Sequence, residues 1–199
     1  MIKAIIFDLS EVLLTGFKET ELEIEKIVGQ RWEDVHKNLH GEEMNLFFIG
    51  KLSEEVMIKK IIDKNNIPLT LTEFKRTIRN NFKEIEGTRE IILELKKMNF
   101  KIGLLSVHGK EWVDHCEKKF NYHKFFNPIV YSFETSLCKP DKKSYTHILN
   151  LMSARPEETL FIDDSKTNIA SAKELGINTI LFKTPEQLRL ELKNFDINL

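Results

Sequence analysis

Residues 159–182, TLFIDDSKTNIASAKELGINTILF, contain two short apolar runs with a helical pattern between them. The runs at 159–163 and 178–182 are rich in Ile, Leu and Phe, and each is too short for a typical helix. Residues 165–175 have a helical pattern, and Gly176 follows directly as a typical helix stop. Strand, helix and strand in this order favour a parallel sheet covered by helices.

The same alternation continues towards both ends of the chain. Further strand candidates lie at residues 3–8, 101–106 and 129–132, and further helical patterns at 88–98, 142–152 and 185–192. The pattern predicts an α/β fold with a Rossmann-like parallel sheet core flanked by helices.

Residues 15–82 have a different pattern. This segment, called the insertion below, is highly charged and has helical patterns at 19–28, 32–39, 42–48, 53–64 and 71–82 but no convincing strand. We therefore predict a core domain of residues 1–14 and 83–199 and an α-helical cap subdomain of residues 15–82. The cap is expected beside the carboxyl ends of the strands, with Trp32, Phe47 and Phe48 in its own core.

Composition excludes several classes of protein. Apolar residues make up 41% of the 199, charged residues make up 31%, and the formal net charge is −1. These values argue against disorder and against a general attraction to nucleic acid or anionic lipid. No apolar run reaches the roughly 20 residues that cross a bilayer. We expect a cytoplasmic protein without a membrane or nucleic-acid partner, whose two cysteines are free thiols. The sequence carries no signal for oligomeric state.

Polar residues occur where predicted strands end or in the loops that follow, at Asp8, Ser106, Lys139, Asp163 and Asp164. Residues at the carboxyl ends of parallel strands meet at one edge of the sheet. Three carboxylates would then face one ammonium group, and this arrangement is repulsive unless a proton or a divalent cation joins it. Oxygen ligands in this number suit Mg²⁺, which keeps several waters and binds substrate phosphate.

Four segments together resemble the motifs of the haloacid dehalogenase-like hydrolase superfamily, over nearly the whole chain. They are IIFDLSEVL at 5–13, GLLS at 103–106, CKPD at 138–141 and LFIDDSKTNIASAKELG at 160–176. The details of the last two are most similar to the subgroup of glucose-1-phosphate phosphatases and the phosphatase domain of soluble epoxide hydrolases. The resemblance implies a magnesium-dependent phosphatase that acts on a small phosphorylated metabolite.

The resemblance also implies a role for each site residue. Asp8 would attack phosphorus and form an aspartyl-phosphate, and Asp8, Asp164 and the carbonyl group of Ser10 would bind the metal. Asp163 and Asn168 would support this site, with Asp163 near the metal. The phosphoryl oxygens would be held by Ser106, Lys139 and backbone N–H groups near Leu9 and Val107.

Two positions depart from the family pattern. The family has a second aspartate two residues after the nucleophile, which protonates the leaving group and activates water, but this chain has Ser10. The asparagine that is common after the serine of the second motif is Val107 here. Glu11 would point to the other side of an extended chain, and we expect His108 to lie exposed in a loop.

These departures leave other functions open. The first alternative is a pseudoenzyme that keeps the metal or phosphate site and acts through a ligand or a partner. A true dehalogenase is the second, although its chemistry needs no metal and would not explain Asp163 and Asp164.

Overall fold

The sheet is parallel throughout, and the strand before Asp8 lies at its centre. The computed structural model describes residues 1–29 and 39–199. Its sheet has the order β3-β2-β1-β4-β5, with β1 and β2 paired from Ala4 with Lys101 and β1 and β4 from Ala4 with Thr159. The strands are β1 (Ala4–Phe7), β2 (Lys101–Ser106), β3 (Ile129–Tyr131), β4 (Thr159–Asp163) and β5 (Asn178–Leu181).

Helices cover the sheet and fill most of the described insertion. Those in the insertion are α1 (Lys18–Val28), α2 (Glu42–Phe48), α3 (Glu54–Asn65) and α4 (Leu71–Asn81). Those that follow are α5 (Thr88–Lys97), α6 (Lys110–Phe120), α7 (Ser132–Thr135), α8 (Lys142–Met152), α9 (Lys166–Glu174) and α10 (Pro185–Leu192). The predicted helix at 32–39, apart from its last residue, and the predicted core residue Trp32 lie outside the described residues.

The predicted fold class is confirmed, because the sheet is parallel and both of its faces are covered. Side chains of β1 alternate between two apolar clusters, with Ile5 and Phe7 in the larger one and Ala4 and Ile6 in the smaller one. This alternation is the period of two that a strand imposes. Burial on both faces explains why the strands read as continuous apolar runs.

Two details differ from the sequence prediction. The third strand ends at Tyr131, because Ser132 already begins the short helix α7. The helix α6 was not predicted from the sequence, although its buried residues Trp112, Val113 and Cys116 have the spacing of one helix face.

Aromatic rings fill the boundary between the insertion and α6. Trp112 of α6 stacks on Phe17 at 5.1 Å between ring centroids and meets Phe47 edge to face at 4.9 Å. Phe48 and Phe82 also contact this indole, at 5.8 and 5.9 Å. Phe47 and Phe48 therefore pack against a helix outside the insertion and not only within it.

A buried carboxylate fixes the same boundary. Glu54, at the start of α3, is only 2% exposed and accepts a hydrogen bond of 2.9 Å from the indole nitrogen of Trp112. Arg79 of α4 donates two hydrogen bonds to the carboxylate of Glu54, at 2.6 and 2.8 Å. A buried charge needs such partners, so this network sets the position of α3 and α4 against α6.

Among the described residues, no helix is both long enough and apolar enough to cross a bilayer.

Gly50 allows the loop after α2 to approach the turn after β3. Its φ is +73°, and a Cβ atom built there would lie 2.4 Å from the carbonyl oxygen of Phe133. We expect Gly50→Ala to combine a positive-φ strain of about 1–2 kcal/mol with a backbone clash of about 1–3 kcal/mol. The free energy of unfolding, measured with urea, should fall by the sum.

Gly176→Ala is the matched control, because its φ is +80° but the nearest atom to an added Cβ is a Pro156 carbon at 3.8 Å. Its free energy of unfolding should fall only by the positive-φ strain of about 1–2 kcal/mol. Equal losses in the two variants would contradict the close contact between Gly50 and Phe133.

Candidate active site

Lys139 connects two buried carboxylates at the carboxyl edge of the sheet. Its Nζ lies 2.8 Å from Oδ1 of Asp8 and 2.6 Å from Oδ2 of Asp163. Asp8 directly follows β1 and Asp163 ends β4, and these strands are neighbours. Relative exposure is 8% for Lys139, 6% for Asp8 and 0% for Asp163. The parallel sheet therefore brings together residues that are more than 150 positions apart in the sequence.

Every oxygen of Asp163 has hydrogen-bond donors. Oδ1 accepts from the backbone N–H of Ser165 at 2.8 Å and from Nδ2 of Asn168 at 3.0 Å. Oδ2 accepts from Nδ2 of Asn168 at 3.1 Å in addition to its bond with Lys139. Neither aspartate caps α9, because the side chain of Ser165 accepts the capping bond from the N–H of Asn168. Asp163 thus orients Lys139, and Asn168 orients Asp163.

Burial and neighbouring charges shift the pKa values of three residues of the site. Burial raises the pKa of Asp8 to about 8, although Lys139 works to lower it. Asp164 lies at the exposed rim, where partial desolvation and the neighbouring Asp163 and Glu11 raise its pKa to about 6. Burial works to lower the pKa of Lys139, but Asp163 and Asp8 raise it above its ordinary value. The carboxylates thus exceed what one ammonium group can neutralise.

The surplus of carboxylates fits a small divalent cation. One oxygen from each of Asp8, Asp163 and Asp164 falls within 4.8 Å of the others. Hard oxygen donors without nitrogen or sulfur are those that Mg²⁺ prefers. Asp164 is exposed, whereas the oxygens of Asp163 already accept hydrogen bonds from Lys139, Asn168 and Ser165. Asp8 and Asp164 are therefore the carboxylates best placed to bind a cation directly.

Ser106 ends β2 beside β1, and its hydroxyl group has an unmet hydrogen-bonding capacity. The side chain is 1% exposed, and its Oγ has no hydrogen-bond partner among the described residues. A buried hydroxyl without a partner is costly, which suits an atom that binds an external oxygen. The N–H of Leu9 donates to Oδ1 of Asp8 at 2.7 Å, and Val107 follows Ser106 as a half-buried residue.

Glu11 does not lie on an extended chain, so the expectation that it points away from Ser10 rested on a wrong premise. Its φ is +57°, and its N–H donates to the carbonyl of Leu14 in a tight turn. Oε1 of Glu11 accepts from the N–H of Gly16 at 2.9 Å. A cavity of about 320 Å³ opens here and is lined by Ser10, Glu11, Gly16, Phe17, Lys18, Glu21, His40 and Asp164.

The expectation that His108 is exposed was wrong. This side chain is 4% exposed, and it makes edge contacts with the rings of Phe82 at 5.8 Å and Trp112 at 5.6 Å. Burial lowers the pKa of His108 to about 4. This burial was not predicted, because Phe82 belongs to the insertion and Trp112 belongs to the unpredicted helix α6.

The model of the haloacid dehalogenase-like hydrolase family matches residues 5–182. The chain belongs to this family. The match includes all the predicted site residues, from Asp8 to Asn168.

Individual relatives are more distant. The pyrophosphatase PpaX of Bacillus mycoides (strain KBAB4) is 26% identical over 183 residues, which is 90% of this chain and 82% of that protein. The family enzyme bt-2542 of Bacteroides thetaiotaomicron, solved in complex with magnesium and inorganic phosphate, has a TM-score of 0.77 at 22% identity, covering 92% of this chain and 96% of that one. A predicted family hydrolase from Porphyromonas gingivalis has a TM-score of 0.79 at 22% identity over 100% of both chains. These structures share the fold.

Burial of His108 predicts a pH dependence of stability. Its pKa is about 4 in the folded protein, against 6.5 for an unperturbed imidazole. The unfolded chain therefore binds more protons between these values, so stability falls as the pH decreases through this window. The contribution of His108 to the free energy of unfolding should fall by about 2 kcal/mol between pH 7 and pH 5.

His108→Leu should remove this component. Urea unfolding of both proteins at pH 7 and pH 5 gives their difference in stability at each pH, and this difference should change by the same amount. A difference that stays constant would show that His108 is not buried in its neutral form.

Proposed function

We propose that this protein is a magnesium-dependent phosphatase that acts on a small phosphorylated metabolite, with Asp8 as its nucleophile. The observation that carries the proposal is the buried Lys139, which bridges Asp8 and Asp163 beside the exposed Asp164. Two comparisons support it: one relative is a pyrophosphatase, and one protein with the same fold was solved in complex with magnesium and inorganic phosphate. The net charge of −1 favours a small-molecule partner over nucleic acid.

Mg²⁺ would be held by Asp8, Asp164 and the carbonyl group of Ser10, with Asp163 close by. The bound cation would neutralise charge on the phosphoryl group as a Lewis acid. Lys139 favours the ionised form of Asp8, against the burial that raises its pKa to about 8. The nucleophile therefore depends on the positive charges around it.

The chain's own residues account for the transfer step. A carboxylate oxygen of Asp8 forms a bond to phosphorus while the bond to the leaving oxygen breaks, which leaves an aspartyl-phosphate that water then hydrolyses. The Ser106 hydroxyl, the Lys139 ammonium group and backbone N–H groups near Leu9 and Val107 hold the phosphoryl oxygens, and the N–H of Leu9 leaves Oδ1 of Asp8 to do so. The buried Ser106 and Lys139 side chains are in place before the reaction, so they need little reorganisation when charge develops.

The absence of a second aspartate limits which substrates this site can hydrolyse efficiently. Ser10 is a poor acid near neutral pH, so it does not replace the family's second aspartate in protonating the leaving oxygen. Good leaving groups depart without that proton, as in aryl phosphates, acyl phosphates and sugar-1-phosphates. A phosphoric anhydride belongs to the same class, and this agrees with the pyrophosphatase relative.

The insertion, residues 15–82, is proposed to act as the cap of the site, with residues 1–14 and 83–199 as the core domain. Support comes from its contacts with segments that follow the carboxyl ends of strands. Phe48 O accepts a hydrogen bond from Ser132 after β3, and Glu54 accepts one from Trp112 after β2. A cap placed there would select the substrate and exclude water.

The second candidate is a pseudoenzyme that binds metal or phosphate without appreciable turnover. Ser10 and Val107 favour it, because both replace residues with which relatives perform or support the chemistry. A dehalogenase is less well supported, since that reaction has no use for the cation site at Asp164.

A screen of phosphorylated metabolites with and without Mg²⁺ tests the activity. We expect phosphate release that requires Mg²⁺ and falls to background in Asp8→Asn. Calorimetry should show that Asp164→Ala weakens Mg²⁺ binding at least about tenfold, in the range found when metal-site residues are lost.

Asp141→Asn is the control for these substitutions. Asp141 caps α8 through its side chain, a role that asparagine also performs, and it lies outside the proposed site. Its activity should equal that of the wild type. Phosphate release that survives in Asp8→Asn would reject the nucleophile, and unchanged Mg²⁺ binding in Asp164→Ala would reject the metal site.

Ser10→Asp tests the leaving-group argument. The new carboxyl group should raise turnover of alkyl monoesters, by up to the roughly 10²–10⁴-fold that general acid catalysis contributes. Turnover of aryl phosphates should change much less, because their leaving groups need little protonation. Steady-state kinetics on one substrate of each kind measures the difference.

A wild type that already hydrolyses alkyl monoesters rapidly, with no gain in Ser10→Asp, would show that another residue supplies the proton. If both proteins bind Mg²⁺ but hydrolyse no phosphate ester, the pseudoenzyme is the correct alternative.

A further inference from the structure

Ser132 lies one residue beyond the position that pairs with Ser106, one strand further along the sheet. It directly follows β3, just as Ser106 ends β2, and Ser106 pairs with Tyr131 in the parallel ladder. Its side chain is 1% exposed. Unlike the hydroxyl of Ser106, the hydroxyl of Ser132 has partners on two other segments of the chain.

One partner belongs to the loop that carries the proposed phosphate-binding residues. The backbone N–H of His108 donates to Oγ of Ser132 at 3.1 Å. His108 is two residues after Ser106 and one after Val107, so this bond fixes the chain directly behind the proposed phosphate ligands. Because the His108 side chain is buried, water could not easily take the place of the Ser132 hydroxyl as the acceptor for this N–H group.

The other partner belongs to the insertion. Oγ of Ser132 donates to the carbonyl oxygen of Phe48 at 2.6 Å, at the end of α2. Ser136 of the same turn adds a bond of 3.4 Å to the carbonyl of Ile49. Gly50 approaches the carbonyl of Phe133 so closely that a Cβ atom there would be 2.4 Å away. The end of α2 therefore packs against the short helix α7, which begins at Ser132.

The Ser132 hydroxyl group therefore contacts two other segments of the chain, the loop after Ser106 and the end of α2 in the insertion.

We propose that Ser132 is a positioning residue, which aligns the loop of Ser106 and Val107 for phosphate and couples that alignment to the docking of the insertion. The inference rests on the proposed phosphatase function but names a residue outside its catalytic set. Without the hydroxyl, the N–H of His108 and the carbonyl of Phe48 both lose their partner, and the loop and the insertion lose their common anchor. The loop would then hold its phosphate donors less accurately.

Ser132→Ala tests this role. Turnover should fall, and inorganic phosphate in the presence of Mg²⁺ should bind more weakly, by about tenfold and up to the roughly 10²-fold that a misplacement of 1 Å can cause. Amide hydrogen exchange at His108 should become faster. Ser132→Cys, which keeps a weak donor and acceptor of similar size, should lie between Ser132→Ala and the wild type, and it also serves if the alanine variant folds poorly.

Thr159→Val is the matched control. Thr159 is fully buried, and its hydroxyl also donates to a backbone carbonyl, that of Arg155 at 2.8 Å, but at the opposite edge of the sheet. It should lose stability comparable to Ser132→Ala while keeping phosphate affinity, turnover and His108 exchange within twofold of the wild type.

Two outcomes would overturn the proposal. One is phosphate affinity and His108 exchange within twofold of the wild type in Ser132→Ala, and the other is phosphate binding that Thr159→Val weakens equally. Failure of the phosphatase function is recognised separately, because Asp8→Asn would then match the wild type in every turnover assay. Phosphate binding and amide exchange still decide the role of Ser132 in that case.

Discussion

The bridge from Lys139 to Asp8 and Asp163 is the constraint on which the rest of the site depends. The three charged groups of the bridge are buried, so each requires its partners. Loss of one partner would leave an unpaired charge in the protein interior. It also requires that β1 and β4 be neighbours and that the Lys139 loop cross their carboxyl ends. The parallel topology meets these requirements and leaves Asp164 at the rim, where a cation can reach it.

The sequence predicted those parts of the molecule that a local pattern encodes. Continuous apolar runs marked the strands, and polar residues at their ends marked Asp8, Ser106 and the aspartate pair. Glu11 was misjudged because a tight turn with positive φ redirects it. His108 was misjudged because its ring is covered by Phe82 of the insertion and by Trp112 of the unpredicted helix α6. The helix α6 was missed although its apolar spacing was present, because its signal is short and lies between charged residues.

The boundary between the insertion and α6 combines apolar packing with a directional ionic network. Rings around Trp112 provide apolar area, which by itself tolerates sliding. Glu54 restricts that freedom, since its buried carboxylate must meet both Arg79 and the indole N–H. The hydrogen bond from Ser132 to Phe48 adds a second fixed point next to the phosphate-binding loop. These two fixed points hold the insertion against α6 and against the residue that follows β3.

In the proposed phosphatase, the two halves of phosphoryl transfer are unequally represented. The residues proposed to bind the phosphoryl group, Lys139 and Ser106, and the carboxylates proposed to bind the cation all lie at one edge of the sheet. The residue that would move a proton is missing at Ser10. Glu11 is not a simple substitute, because its Oε1 accepts a hydrogen bond from the N–H of Gly16. That bond holds Glu11 in the turn, so in the proposed phosphatase the substrate's own leaving group must make up for the missing acid.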